Sequence, residues 1–196
     1  MKCIVLFDFD GTITKYDSLI KFIRYAQGNF KFICGIIILF PMLIAYKLKF
    51  IPNYKAKELM ISYFFKGMSK KKFIDFADEY SLKHIDLIVR QKAIEKINWH
   101  KNKGHKVVVV SASIDLWLSA WCKKNNLELI ATSIEIKNNK LTGKFGSKNC
   151  YGIEKVNRII EKYELKNFEL IYAYGDSKGD KEMLNIADYK YYKYFN

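Results

Sequence analysis

In Asp8-Phe9-Asp10-Gly11-Thr12, two carboxylates stand two residues apart at the end of an apolar run. Side chains two apart on a strand share a face, so Asp8 and Asp10 can enter one volume. Gly11 lets the chain leave the strand through backbone angles closed to other residues. Neighbouring carboxylates repel, and a divalent cation, which favours oxygen ligands, relieves that repulsion. Taken alone, the same residues also suit a solvated turn with capping aspartates. Gly175-Asp176-Ser177-Lys178-Gly179-Asp180 adds two carboxylates after another apolar run. Asp176 can complete a cation site with Asp8, and Asp180 can orient Lys155 or a metal-bound water; a loop and helix cap is the plainer alternative. Ser111 follows Val107-Val108-Val109-Val110. A hydroxyl and the N–H groups beside it can hold a phosphate oxygen there, or the serine can simply cap a helix. Lys155 near a helix start is a point charge suited to phosphate, although any one lysine in a lysine-rich chain is ordinarily a surface residue.

These segments need strands that end at one edge. Lys2–Asp8, Val107–Val110, Leu127–Ala131 and Leu170–Tyr174 are short apolar runs without alternation, and Tyr189–Tyr192 is a candidate fifth. Such runs predict strands of a parallel sheet covered on both faces. Helices are predicted over Ile88–Lys103, Ile114–Asn125 (with Ser113 as its cap), Ile153–Tyr163 and Lys178–Ile186. Strand–helix alternation implies an α/β doubly wound fold. Asn138-Asn139 between Ile134–Ile136 and Leu141–Gly143 predicts a small hairpin. The alternation breaks between the first two strands, where Leu19–Tyr25, Phe30–Lys47, Tyr54–Phe65 and Lys70–Glu79 predict helices. A helical block inserted at the strand-end edge is placed to act as a lid. The expected division is a core of residues 1–15 and 85–196 with a helical cap of residues 16–84.

The chain has 196 residues, half of them hydrophobic, with two prolines and a formal charge of +14. That suffices for one well-buried core plus a small insertion and excludes a disordered chain. The charge favours anionic partners: phosphorylated metabolites, nucleic acid or an anionic membrane surface. Nucleic acid is not expected, because no zinc-finger, helix-turn-helix or RNP-like signature accompanies the charge. The four cysteines form no CxxC pair, so a reducing, cytoplasmic setting fits, and Cys3 and Cys34 read as small core residues. The 15 residues Phe32–Tyr46 are almost wholly apolar between Lys31 and Lys47. They fall short of the roughly 20 residues of a spanning helix. A buried helix, or two short ones broken near Pro41, is the first expectation; a hairpin touching a membrane is the alternative. His84, His100 and His105 read as surface or boundary residues, and Trp99, Trp117 and Trp121 as packing against the sheet.

Together, the ordered segments resemble the four motifs of the haloacid dehalogenase superfamily: Asp8–Thr12 first, Ser111 second, Lys155 third, Gly175-Asp176 through Asp180 fourth. The helical insertion resembles the cap of the phosphoserine-phosphatase-like branch, as do Asp17-Ser18-Leu19, Lys66–Ser69, Val110–Ser113 and Asn149–Gly152. The resemblance implies a magnesium-dependent phosphatase acting on a small phosphorylated metabolite. Asp8 is then the nucleophile and Asp10 the acid and base. Thr12, Ser111 and Lys155 bind phosphate. Asp8, the Asp10 carbonyl and Asp176 hold Mg2+, with Asp180 in support. Lys15-Tyr16-Asp17-Ser18 lacks the Glu with which phosphoserine phosphatases read the substrate amine, which argues against phosphoserine itself. A phosphotransferase or mutase shares the same intermediate, and a membrane-associated lipid-phosphate phosphatase is the alternative that Phe32–Tyr46 suggests.

Overall fold

A computed structural model describes residues 2–195; Met1 and Asn196, the ends of the expected core segments, lie outside the described residues. Five parallel strands form the sheet: β1 (Cys3–Phe7), β2 (Lys106–Ile114), β3 (Glu128–Thr132), β6 (Leu170–Gly175) and β7 (Tyr189–Tyr192). Their order is β3-β2-β1-β6-β7, every pairing parallel. The chain winds outward from β1 to β3, then crosses back to lay β6 and β7 on the other side. The direction of winding therefore reverses at β1 and β6, where α/β sheets open a crevice beyond the strand ends.

The missing alternation has its cause in two cores. Val5 and Phe7 of β1, with Val107 and Val109 of β2, join one apolar cluster. Ile4 and Leu6, with Val108 and Val110, join another. The first cluster takes in helices α4 (Gln91–Asn102) and α5 (Leu116–Lys124) and reaches the insertion. The second is closed by α6 (Ile153–Lys162) and α7 (Lys181–Asn185). With both faces covered, each strand position is apolar. The rings of β6 and β7 stack pairwise, Tyr172 on Tyr189 and Tyr174 on Tyr191, with centroids 4.8 and 4.5 Å apart.

Between β1 and β2 lie α1 (Ser18–Lys47), α2 (Asn53–Phe65) and α3 (Lys70–Lys83). The hairpin β4 (Ile134–Lys137) and β5 (Lys140–Phe145) turns at Asn138-Asn139, both with positive φ, and docks on α2. Phe145 N–H donates to Glu58 there at 2.9 Å, and Leu141 exchanges backbone bonds with Gly67 and Met68.

The structure corrects several expectations. The Phe32–Tyr46 segment is neither buried nor broken at Pro41. It continues α1, which leaves helical geometry only at Gly28 (φ 77°). Pro41 is tolerated because it lies on the open side together with Ile37, the residue four back whose carbonyl it cannot cap. Of the most apolar 18-residue stretch of α1, only 6% is buried. Apolar residues on all sides do not show whether a partner exists on all sides. Cys34, on this helix, is half-buried rather than core. Trp99 is exposed beneath the Lys96 ammonium, 4.0 Å from its ring, while Trp117 and Trp121 are buried as expected. The expected cap Ser113 instead extends β2; the helix after it is capped by Asp115, whose carboxylate accepts from Leu116 N–H at 2.8 Å.

His100 is fully buried, not a boundary residue. Its Nε2 meets the Tyr174 hydroxyl at 2.9 Å and its Nδ1 meets His105 Nδ1 at 2.9 Å. Burial first, then the nearby His105 and Lys96, push its imidazole down to about 3. The unfolded chain takes up that proton near pH 6.5. The neutral ring therefore adds stability that is whole above about pH 6.5 and is lost as pH falls toward about 3. We expect His100→Gln to lower the melting temperature at neutral pH but to flatten its decline between about pH 6.5 and 4. An unchanged acid decline in the variant would assign that loss to other groups.

Candidate active site

The predicted site residues converge at the C-terminal edge of the sheet. Asp8 directly follows β1, its N–H bonded to the Tyr174 carbonyl of β6 at 2.9 Å. The next residues make a wide turn, Phe9–Ile13, in which Gly11 has φ +87°. A Cβ on Gly11 would come within 2.3 Å of an Asp176 carboxylate oxygen. Glycine is required twice there, for the backbone angle and for the close approach of the fourth-motif loop.

Lys155 binds these segments together. Its ammonium donates to Asp8 Oδ1 at 2.6 Å, to Asp180 Oδ1 at 2.7 Å and to the Val110 carbonyl at 2.7 Å. All three protons are used, and the side chain is buried. Burial alone would depress this ammonium, but Asp8 and Asp180 outweigh it and hold it above the ordinary lysine value. Burial would likewise raise Asp180; Lys155 and the Ser177 hydroxyl keep it below the carboxylate norm. The other oxygen of Asp180 accepts from Asp176 N–H, Ser177 N–H and the Ser177 hydroxyl. It thereby fixes the loop that carries Asp176.

Asp8 is pushed up to about 7, chiefly by burial, against the pull of Lys155. Asp10 rises to about 6, first from burial and then from Asp17, against its bonds to Ser113 and Ser18. The Asp10 carboxylate takes one bond from Ser18 N–H at 2.7 Å and one from the Ser113 hydroxyl at 2.5 Å. Asp8 and Asp10 are thus held by different partners, and both line one cleft of about 250 Å3. Ser111 lines it too. Its oxygen accepts from Ser113 N–H at 3.0 Å, leaving the hydroxyl proton to donate elsewhere. Thr12, expected at phosphate, donates to Asp176 Oδ1 at 3.3 Å.

Asp8, Asp176 and Asp180 each offer an oxygen within 4.8 Å of the others. An all-carboxylate set beside one buried ammonium suits a hard divalent ion such as Mg2+. The close fit of Asp176 over Gly11 gives that set a built geometry. The Asp10 side chain stays out of the group and keeps its own partners.

Sequence reasoning missed Ser18, Ser113 and Lys57 as site residues. Ser113 stands two beyond Ser111 on β2, and that spacing was the available signal. Lys57 comes from α2, donates to the Ala112 carbonyl at 3.2 Å and lines the cleft. Nothing in its local sequence separates it from the other lysines. The rim of the cleft is completed by Tyr46 at the end of α1, Asn53 at the start of α2, and Tyr151.

A family model described as haloacid dehalogenase-like hydrolase matches residues 5–185. Protein CicA of Caulobacter vibrioides is 33% identical over 195 residues, 98% of this chain and 86% of that protein. A Bordetella pertussis Tohama I structure, of a protein with unknown function, superposes with a TM-score of 0.83 at 19% identity, covering 95% of this chain and 87% of that one. A phosphoserine phosphatase structure with a phospho-aspartyl intermediate analogue gives 0.70 at 22% identity, over 96% and 85% of the two chains. At such identities the structural likeness is one of fold, while the family model spans nearly the whole chain. The chain belongs to the haloacid dehalogenase-like hydrolases.

Proposed function

We propose that the protein is a magnesium-dependent phosphatase that hydrolyses a phosphate monoester through an aspartyl-phosphate on Asp8. The observation that supports this reading is the pair of carboxylates at one cleft with separate restraints: Asp8 tied through Oδ1 to Lys155, Asp10 held by Ser18 and Ser113. With Oδ1 engaged, Oδ2 of Asp8 is the attacking atom. It forms the P–O bond as the ester P–O bond breaks, and Asp10 gives the leaving alcohol its proton. Water then attacks the phosphoryl group, its proton passes to Asp10, and Asp8 and inorganic phosphate are released. An Asp10 carboxyl near 6 is poised to exchange that proton close to neutral pH.

Ser111 supplies a hydroxyl donor to the phosphoryl oxygens, with backbone N–H groups of the first-motif turn beside it, while Lys155, its protons held by Asp8, Asp180 and the Val110 carbonyl, contributes its positive charge to the phosphate site. Thr12 serves by fixing Asp176. Asp8, the Asp10 carbonyl and Asp176 would hold Mg2+, with Asp180 in support, and the ion would neutralise phosphoryl charge. Residues 16–84 act as the cap over a core of 1–15 and 85–196, and Asp17, Tyr46, Asn53 and Lys57 are its contribution to the cleft.

The test is hydrolysis of para-nitrophenyl phosphate with and without magnesium, beside Asp10→Asn. The variant should lose turnover by about 100-fold or more while acid-quenched samples still carry phosphate on Asp8. Full turnover by Asp10→Asn would remove Asp10 from acid–base duty.

A further inference from the structure

We infer that the outer face of α1 seats on an anionic lipid bilayer and brings the cleft to a phosphate monoester carried by a membrane lipid. This deepens the phosphatase reading and rests on it. Phe30, Ile33, Ile37, Pro41, Ile44 and Leu48 follow one another at spacings of three and four, so they form a single stripe along the helix. All six are exposed. The opposite side of the helix is also apolar, and it has a partner: Phe32 stacks on Phe64 of α2, and Gly35 lets α2 approach so closely that a Cβ would lie 2.2 Å from Phe64. A surface helix normally puts polar residues outward. Here the outward stripe is as apolar as the packed one, and the stripe leads into the α1–α2 turn, where Phe50 is 79% exposed.

Charge selects the occupant. From Ser18 to Lys57 the chain carries seven basic residues and no acidic one. Lys31, Lys47, Lys49 and Lys55 are exposed at the two ends of the stripe. Apolar residues flanked by lysines match an interface of acyl chains and anionic headgroups. A second copy of a chain with charge +14 would bring like charge against like charge.

The helix lies on the bilayer rather than through it. By length and apolarity α1 is the one described helix that could cross. Its first turns, however, are fixed in the protein core by Leu19, Phe22 and Ile23. The chain then returns at once through α2, whose Lys55, Lys57 and Glu58 would be drawn into hydrocarbon by any crossing. The helix ends that flank the lipid-facing turn are also the rim of the cleft: Tyr46 and Asn53 line it, and Asn53 donates to the Tyr46 hydroxyl at 3.0 Å. A docked α1 therefore sets the mouth of the cleft at headgroup depth.

The test is sedimentation of the full chain with phosphatidylcholine vesicles, with and without phosphatidylglycerol, beside the triple variant I37S/I44S/F50S and the charge variant K47E/K49E. Binding should require phosphatidylglycerol, weaken in high salt, and fall about tenfold or more in each variant. Phosphate should be released faster from phosphatidate in those vesicles than from glycerol 3-phosphate, and the triple variant should lose that difference. Its hydrolysis of para-nitrophenyl phosphate should remain that of the unaltered chain. Soluble turnover without vesicle binding would overturn this inference and leave the phosphatase reading standing. Equal rates on the two glycerol phosphates, unaffected by the triple substitution, would also overturn it. So would a vesicle-independent dimer that the triple variant dissolves, since a second copy would then cover the stripe. Absence of para-nitrophenyl phosphate hydrolysis, with vesicle binding intact, would strike the phosphatase reading instead.

Discussion

Replacing Asp8 by asparagine should leave a folded protein whose phosphatase turnover is lower by about four orders of magnitude or more. The substitution is nearly isosteric. The asparagine carbonyl can still accept from Lys155, whose ammonium keeps Asp180 and the Val110 carbonyl as partners. Only the charge and the nucleophilic oxygen are removed. Asp8 is buried and pushed up to about 7, so its anion is costly in the fold and the amide is tolerated there. The melting temperature should therefore move little while the rate collapses, and acid-quenched protein should carry no phosphate. Rates and melting curves on the same preparation decide the matter. Turnover at the unaltered rate would exclude Asp8 as nucleophile.

Much of this site was legible because its parts occupy strand ends. A carboxylate after a buried strand, a hydroxyl ending the second, and further carboxylates after a fourth must meet once the strands are parallel and adjacent. The order of the motifs carried the fold as well as the site. What could not be read lay in side chains acting across elements. The bond from Ser113 to Asp10 depends on β2 running on past Ser111, and a serine after four valines looks equally like the end of a strand. Lys57 enters the cleft from α2, and its role depends on how the insertion packs. Thr12 turns to Asp176 because the fourth-motif loop sits over Gly11, a contact between residues far apart in the chain.

Burial was legible for strands and much less so for helices. A strand apolar at every position between helical segments must be covered on both faces. A helix apolar at every position carries no such guarantee, because the pattern records what each side chain avoids and not what the fold provides. Phe32–Tyr46 satisfied the pattern of a core helix and is open along one face. His100 shows the converse: a polar residue beside lysines, buried because Tyr174 and His105 offer its ring two partners.

Substituting Lys155 by methionine should cost about 3–5 kcal/mol of stability and lower the melting temperature by roughly 6–20 °C. Methionine keeps most of the stem's volume, so packing is little disturbed. The charge is lost, leaving the Asp8 and Asp180 carboxylates and the Val110 carbonyl buried without their common donor. The pH dependence identifies the cause. Without the ammonium, both carboxyls take up protons more readily folded than unfolded, so the variant's deficit is greatest at high pH and shrinks as pH falls. In the unaltered protein Asp180 runs the opposite way. Lys155 keeps it below the ordinary carboxylate value, so its contribution is present above about pH 4 and is lost in acid. The two melting curves should therefore converge toward low pH. Excess magnesium should also narrow the gap, because a divalent cation among Asp8, Asp176 and Asp180 replaces the missing charge. A loss below about 1 kcal/mol, with no trend in pH, would mean that these carboxylates are neutral in the native state. Lys155 would then be a hydrogen-bond donor to neutral carboxyls, and not the charge that makes this cluster possible.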